Sequence, residues 1–317
     1  MVASQATFFT RVSFLKSNCE TKESMIKFQY MARCEVCFRH CEIKEGGLGF
    51  CLARTCKDGV VVPENYGVLS SVALDPIEKK PLHRFHPGSK ILSVGSYGCN
   101  LRCPFCQNNS ISWSEEVSVH AKEKERRVSP EELVELALSL KTRGNCGIAY
   151  TYNEPLIGYE YVRDCSRLAH RAGLVNVLVT NGTASLSVLD ELIPYIDAMN
   201  IDLKGFSEDY YNKTLGGNLD MTLSFIKEAA KQCHVELTTL VVPFENDSEE
   251  EMRQIASWIA TLKDADGNLI GPEIPLHISR FFPQFHMTDR HATDVRHIYH
   301  LKDVAGEYLK YVYTGNC

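Results

Sequence analysis

Three cysteines, Cys99, Cys103 and Cys106, stand at spacings of four and three residues in the stretch Cys99-Asn100-Leu101-Arg102-Cys103-Pro104-Phe105-Cys106. Gly98 precedes them, and a strand-like run from Lys90 to Ser96 leads in. Thiolates so spaced on one loop can fold around one corner of a cubane iron–sulfur cluster. Such clusters normally take four thiolates. Three leave one iron open, and an open iron can bind a substrate or a cofactor. That separates a catalyst from an electron carrier. The rival readings are buried structural cysteines or a zinc site, but zinc favours paired C-x2-C units, which this loop lacks.

A second set lies upstream: Cys34-x2-Cys37-x3-Cys41-x9-Cys51, followed by Cys56, with His40 beside Cys41. Gly46, Gly47 and Gly49 let the chain double back between the third and fourth cysteines. Four thiolates would close the shell of a tetrahedral zinc or ligate every iron of a second cubane. Spacing alone leaves zinc, an auxiliary cluster and a metal-free thiol loop open, and Cys56 or His40 could replace one ligand.

The elements that must position these residues follow from periodicity. From Lys90 onward, short apolar runs alternate with amphipathic stretches. The runs Ile91–Val94, Gly147–Tyr152, Val175–Thr180, Ala198–Leu203, Val235–Val242 and Leu276–Phe281 have strand length and are rich in Val and Ile. Gly67 to Leu74 alternates enough for a further strand. The clearest helix starts at Ser129-Pro130-Glu131-Glu132, where Ser129 is an N-cap, Pro130 suits the first helical position and Glu132 completes a capping box. Leu133, Leu136, Leu138 and Leu140 are expected to form its apolar face. Further helices are expected over Tyr159 to Arg171 and roughly His291 to Lys310. Strands alternating with helices imply a parallel sheet with right-handed crossovers. Six rather than eight strands imply an α/β fold of the incomplete, TIM-like (β/α)6 type, with chemistry at the C-terminal strand ends.

Composition narrows the class. The chain has 317 residues, 44% of them hydrophobic, with a net charge of −6. This balance leaves no electrostatic footprint for nucleic acid or an anionic membrane. No apolar run approaches the roughly 18 residues of a membrane span. Thirteen cysteines, clustered and odd in number, read as reduced thiols, and hence as a cytoplasmic protein. Residues 1–24 contain Phe8-Phe9 and Phe14-Leu15 but no clean apolar core, and no acid before Glu20. A weak transit-peptide signal competes there with a mis-assigned start, Met25 or Met31 being the true one; the second is preferred. The expected domains are an N-terminal extension over 1–24, a cysteine-rich module over 25–62, a connector over 63–89 and a barrel over 90–317.

C-x3-C-x2-C with an aromatic before the last cysteine resembles the radical S-adenosylmethionine (SAM) superfamily. The text from Gly98 through Gln107-Asn108-Asn109 resembles the branch of pyruvate formate-lyase activating enzyme. The upstream cysteines with Gly-Gly-Leu-Gly-Phe-Cys resemble the N-terminal module of the AmmeMemoRadiSam-system radical SAM enzyme, which those activating enzymes lack. The resemblance runs from about Cys34 to about Pro283.

It implies the same (β/α)6 radical SAM barrel, and roles at the strand ends. Cys99, Cys103 and Cys106 would bind a [4Fe–4S] cluster, and Phe105 would shape the adenine pocket. Asn153 and Glu154 stand where the superfamily has Gly-Gly-Glu, which binds the SAM amine. Asn181, in Thr180-Asn181-Gly182, would meet a ribose hydroxyl. Asp202 and Lys204, in Asp-Leu-Lys, share one strand face and would lie at the SAM site. His277 matches a histidine near SAM. Arg280 would meet the SAM carboxylate or the substrate. His83 and His86, in a Pro/Gly-bounded loop, read as structural.

The function implied is an oxidoreductase that reductively cleaves SAM at a [4Fe–4S] cluster, giving a 5′-deoxyadenosyl radical for hydrogen abstraction. An AmmeMemoRadiSam-type enzyme with undefined substrate is the first reading. The second is a glycyl-radical enzyme activase, acting on a protein glycine. The third is a non-catalytic iron–sulfur or zinc scaffold. The substrate is then a small molecule or a protein glycine, and an electron donor such as flavodoxin or ferredoxin is expected.

Overall fold

The computed structural model describes residues 31–117 and 127–317. The expectations for residues 1–24 and for a start at Met25 lie outside the described residues.

Two small hairpins form first. Strands β1 (Met31–Arg33) and β2 (Glu42–Lys44) pair antiparallel. Strands β3 (Arg54–Lys57) and β4 (Val60–Pro63) pair across Asp58-Gly59. Both turn residues have positive φ, as a two-residue type I′ turn requires.

The remaining eight strands make one sheet in chain order: β5 (Ser71–Pro76), β6 (Lys90–Gly95), β7 (Asn145–Tyr150), β8 (Val175–Thr180), β9 (Ala198–Asp202), β10 (His234–Val241), β11 (Leu276–Arg280) and β12 (Val312–Gly315). Strands β6 to β12 run parallel, and β5 lies antiparallel on the β6 edge. The six central strands fall nearly where the apolar runs predict them. Strand β12 was not among the expected strands: Val-Tyr-Thr-Gly is too short to announce itself, and its pairing with β11 alone defines it. Antiparallel β5 draws part of the 63–89 segment into the sheet.

Helices pack on the outside. Ser129 caps α2 (Pro130–Ser139; α1 is the single turn Asn109–Ser112) with the capping box complete: its side chain accepts from Glu132 N–H, and the Glu132 carboxylate accepts from Ser129 N–H. The buried face is Leu133, Val134 and Ala137, whereas Leu136 and Leu138 are exposed. That corrects the expected leucine face, because a 3.6-residue period places 136 and 138 off the sheet-facing stripe. Helix α3 (Tyr159–Arg171) has the expected limits. Helices α4 (Leu186–Leu192), α5 (Leu219–Ala229) and α6 (Glu249–Ala260) follow, and α7 (Val295–Gly306) is shorter than expected at both ends, its start set by the Asp294 cap.

The base of the barrel, at the N-terminal strand ends, is plugged. Ile77 and Leu82 pack with Ile91, Ala149, Val177 and Ala198 in a separate apolar cluster. Asn200 Nδ2 donates to Pro81 O at 2.8 Å. Glu236, fully buried, accepts from the backbone N–H of His83 (3.0 Å) and Arg84 (2.7 Å). The plug leaves the opposite end, where the cysteine loop emerges, for chemistry.

Candidate functional site

The loop after β6 carries Cys99, Cys103 and Cys106 to the C-terminal end of the sheet, where all three border one cavity of about 530 Å³. The loop is held from several sides. Arg102 Nη1 donates to the carbonyls of Cys99 (2.9 Å) and Leu101 (2.8 Å), and Arg102 N–H donates to Leu215 O (2.8 Å). Gly98 has φ +92°, and a Cβ there would lie 2.5 Å from Cys51 O. Glycine is required because the loop presses on the cysteine-rich module.

Successive strand ends supply the polar wall. After β7, Glu154 is 2% exposed. Its Oε1 accepts from Leu156 N–H (3.0 Å) and Thr180 Oγ1 (2.6 Å), and its Oε2 from Asn181 N–H (2.8 Å). Burial pushes its carboxyl up to about 7, against the pull of those hydrogen bonds. Asn153 also borders the cavity, but Oδ1 accepts from Ser96 N–H (2.9 Å) and Nδ2 donates to Gly98 O (3.1 Å). It braces the loop entrance. Asn181, after β8, donates from Nδ2 to Asn100 Oδ1 (2.9 Å) and toward Cys99 Sγ (3.8 Å). Asp202, ending β9, pairs with Lys204 Nζ at 2.8 Å. Burial opposes the Lys204 charge, yet Asp202 and the Cys103 sulfur hold its pKa well above the usual lysine value. Phe105 is buried and stands edge-on to Phe281, 6.2 Å between centroids.

His277 is placed elsewhere. It sits near the start of β11, where Nε2 meets Glu236 Oε2 at 2.7 Å and the ring stacks on Tyr313. It does not border the cavity; Ser279 and Arg280, farther along the same strand, do. Arg280 Nε donates to Thr293 O (2.7 Å), and its guanidinium lies over the Phe282 ring. His83 stands edge-on to His277 and tilted against Tyr313 at the base.

Residues 93–259, more than half of the chain, match the radical SAM superfamily. The chain belongs to the radical SAM superfamily. An uncharacterized protein of Methanocaldococcus jannaschii is 41% identical over 287 residues, covering 90% of this chain and 81% of that one. Pyruvate formate-lyase 1-activating enzyme of Escherichia coli K12 is 26% identical over 178 residues, 54% of this chain and 69% of its own. Among solved structures, SuiB of Streptococcus suis bound to S-adenosylmethionine aligns with a TM-score of 0.52 at 12% identity, over 70% of this chain and 48% of SuiB. That is a likeness of fold, over about half of SuiB.

Radical SAM proteins use a [4Fe–4S] cluster and SAM. The residues here fit that pair. Three thiols surround one cavity, two N–H donors (Leu101 at 3.4 Å, Asn181 at 3.8 Å) point at Cys99 Sγ, and a cationic Lys204 lies beside Cys103. Burial pushes the Cys103 thiol up to about 11, so metal must displace its proton.

The departure from Gly-Gly-Glu has a structural account. Tyr152, before Asn153-Glu154, adopts φ +72°, a region glycine enters freely and bulky residues rarely do. Its hydroxyl donates to Asp75 Oδ2 (2.7 Å), its carbonyl accepts from Asn108 Nδ2 (2.7 Å), and Lys80 lies over its ring. Sequence reasoning passed over Tyr152, Thr151, Ser279, Gln284 and Asn316, all of which border the cavity. Gln284 carried no motif; its Nε2 donates to Phe105 O at 2.7 Å, joining the β11 exit to the cysteine loop.

Proposed function

We propose that the chain is an AmmeMemoRadiSam-type radical SAM enzyme acting by hydrogen abstraction. One observation carries the reading: Cys99, Cys103, Cys106, Glu154, Asn181, Asp202 and Lys204, drawn from four strand ends, border a single cavity. A scaffold protein needs no such convergence. The upstream cysteines favour this type over an activase, and the activating enzyme matches 54% of the chain.

Cys99, Cys103 and Cys106 would hold the cluster, leaving one iron for SAM. Bound together, these groups supply reductive cleavage of SAM to methionine and a 5′-deoxyadenosyl radical that abstracts hydrogen. The chain orients them. Glu154, charged once an ammonium lies beside it, would hold the SAM amine. Lys204, paired with Asp202, would meet the SAM carboxylate, and Phe105 would wall the adenine. Arg280, which has no carboxylate partner among the described residues, would face the substrate. The electron donor would be a flavodoxin or ferredoxin, in the cytoplasm.

The second reading, a glycyl-radical activase, draws support from the pyruvate formate-lyase 1-activating enzyme match. Anaerobic reduction with SAM tests both. The expected product is 5′-deoxyadenosine, lost in Cys103→Ala. Deuterium transfer into a small molecule supports the first reading, and a protein glycyl radical the second. Unchanged product in Cys103→Ala would sink both.

A further inference from the structure

We propose that Cys34, Cys37, Cys41 and Cys51 ligate a second [4Fe–4S] cluster that passes single electrons to the catalytic one. This rests on the reading of Cys99, Cys103 and Cys106 as ligands of the catalytic cluster.

The four sulfurs border one hollow, together with Arg39, Arg54 and Asn100. Arg54 is 4% exposed. Its outer nitrogens are spent on Glu160 (2.7 and 3.0 Å) and Ile157 O (2.9 Å). Its Nε is buried with no oxygen or nitrogen acceptor, and the guanidinium bears on the Cys34 sulfur. A buried donor left unpaired is unfavourable. An anionic cluster of thiolates and sulfides supplies the missing acceptor, and Phe50 N–H already points at Cys41 Sγ (3.5 Å).

The way the four sulfurs line one hollow favours a cubane over zinc. Zinc–sulfur bonds of about 2.3 Å require four sulfurs gathered tightly round one point. Among the described residues, no three His, Cys, Asp or Glu side chains converge to hold a single ion. Cys99, Cys103 and Cys106, the proposed ligands of the catalytic cubane, do not converge in that way either. Two substitute ligands are otherwise engaged: His40 Nδ1 meets Glu35 at 2.8 Å, and Cys56 lies toward Glu45.

The two sets are adjacent. Cys99 N–H donates to Cys51 O at 3.2 Å, a single hydrogen bond between a ligand residue of each set. Asn100, beside Cys37, accepts from Asn181, which reaches Cys99 Sγ. Arg39 and Arg102 both lie over the Phe50 ring, 3.3 and 3.7 Å from its centroid. Their charges offset repulsion between two anionic clusters. A one-electron flavin or iron–sulfur protein reduces the second cluster from 2+ to 1+. That electron moves to the catalytic cluster, the second returns to 2+, and no bond forms or breaks.

The test begins with anaerobically reconstituted full-length protein, with iron, sulfide and zinc counted. About 8 irons per chain are expected, and about 4 in the Cys99→Ala/Cys103→Ala/Cys106→Ala variant. The variant's reduced EPR signal should ignore SAM. About 4 irons in the intact chain, with or without zinc, overturns the second cluster. No iron in the intact chain would instead overturn the catalytic reading. Cys34→Ala/Cys37→Ala should keep the SAM-responsive signal but lose its rapid reduction by a reduced flavodoxin; undiminished reduction overturns the relay. Should that variant fail to fold, Arg54→Gln should shift the SAM-insensitive signal to lower potential and leave the SAM-responsive one in place. No shift overturns the assignment.

Discussion

The two ends of the barrel each bury a glutamate, and the two behave oppositely. Glu154 at the open end is 2% exposed and Glu236 at the plugged base 0%. Burial raises both. Around Glu154 the donors are two backbone amides and a hydroxyl, all neutral, and Asp202 adds a like charge; its carboxyl is pushed up to about 7. Around Glu236 stand two amides and the Nε2 atoms of His234 (2.9 Å) and His277 (2.7 Å), and its carboxyl is pulled down to about 2. Burial of an acid is therefore no mark of a site. A buried acid still short of a cation is, because an arriving ammonium gains what the protein has withheld.

Removing the base carboxylate should have the largest effect. Glu236→Ala leaves His277 and two amides buried without their acceptor, and should lower stability by about 3–5 kcal/mol. Urea unfolding measures this, and a loss below about 1 kcal/mol would mean that the plug does not depend on Glu236. The sign with pH is fixed. Its pKa is depressed from 4.5, so its contribution is present above pH 4.5 and lost as pH falls through about 2.

The open end should respond in binding. Glu154→Gln should weaken SAM by about 1.5–3 kcal/mol, the range of a charge-assisted bond, with cluster content unchanged. Here the pKa is raised, so stability from protonated Glu154 is present below pH 4.5 and lost as pH rises through about 7. SAM binding should therefore strengthen with rising pH through 7 in the parent chain. Calorimetry that finds the same slope in Glu154→Gln would remove Glu154 from the amine site.

The smallest effect is expected where sequence and structure diverge. His277→Asn should lower stability by about 1–2 kcal/mol by loosening Glu236, and leave SAM affinity unchanged. A fall in SAM affinity matching that of Glu154→Gln would return His277 to the cofactor site.

That divergence shows what was legible. Strand runs, the Ser129 capping box and the C-x3-C-x2-C loop are local patterns, and each appears in place. Glu154, Asp202 and Lys204 were legible because they stand where the superfamily carries its strand-end motifs, and the converging strand ends bring them to one cavity. His277 was not, because being on the right strand does not fix height along it. Tyr152 was hidden because its backbone conformation is held by Asp75 and Asn108, distant in sequence. Leu136 and Leu138 misled because leucine spacing alone does not say which stripe of the helix meets the sheet. The plug was invisible because Leu82 gains its neighbours only when the strands are assembled.

The plug also bears on the order of folding. His83 and Arg84 reach Glu236 across separations of 153 and 152 residues. Until β10 has joined the sheet, the 77–86 segment has no carboxylate to hold it. Contacts of such long range form slowly, since chain closure precedes any reward. The floor of the barrel should thus set late, after the first β/α units, and a stalled chain would expose Leu82 and Phe85 as a sticky surface for chaperones.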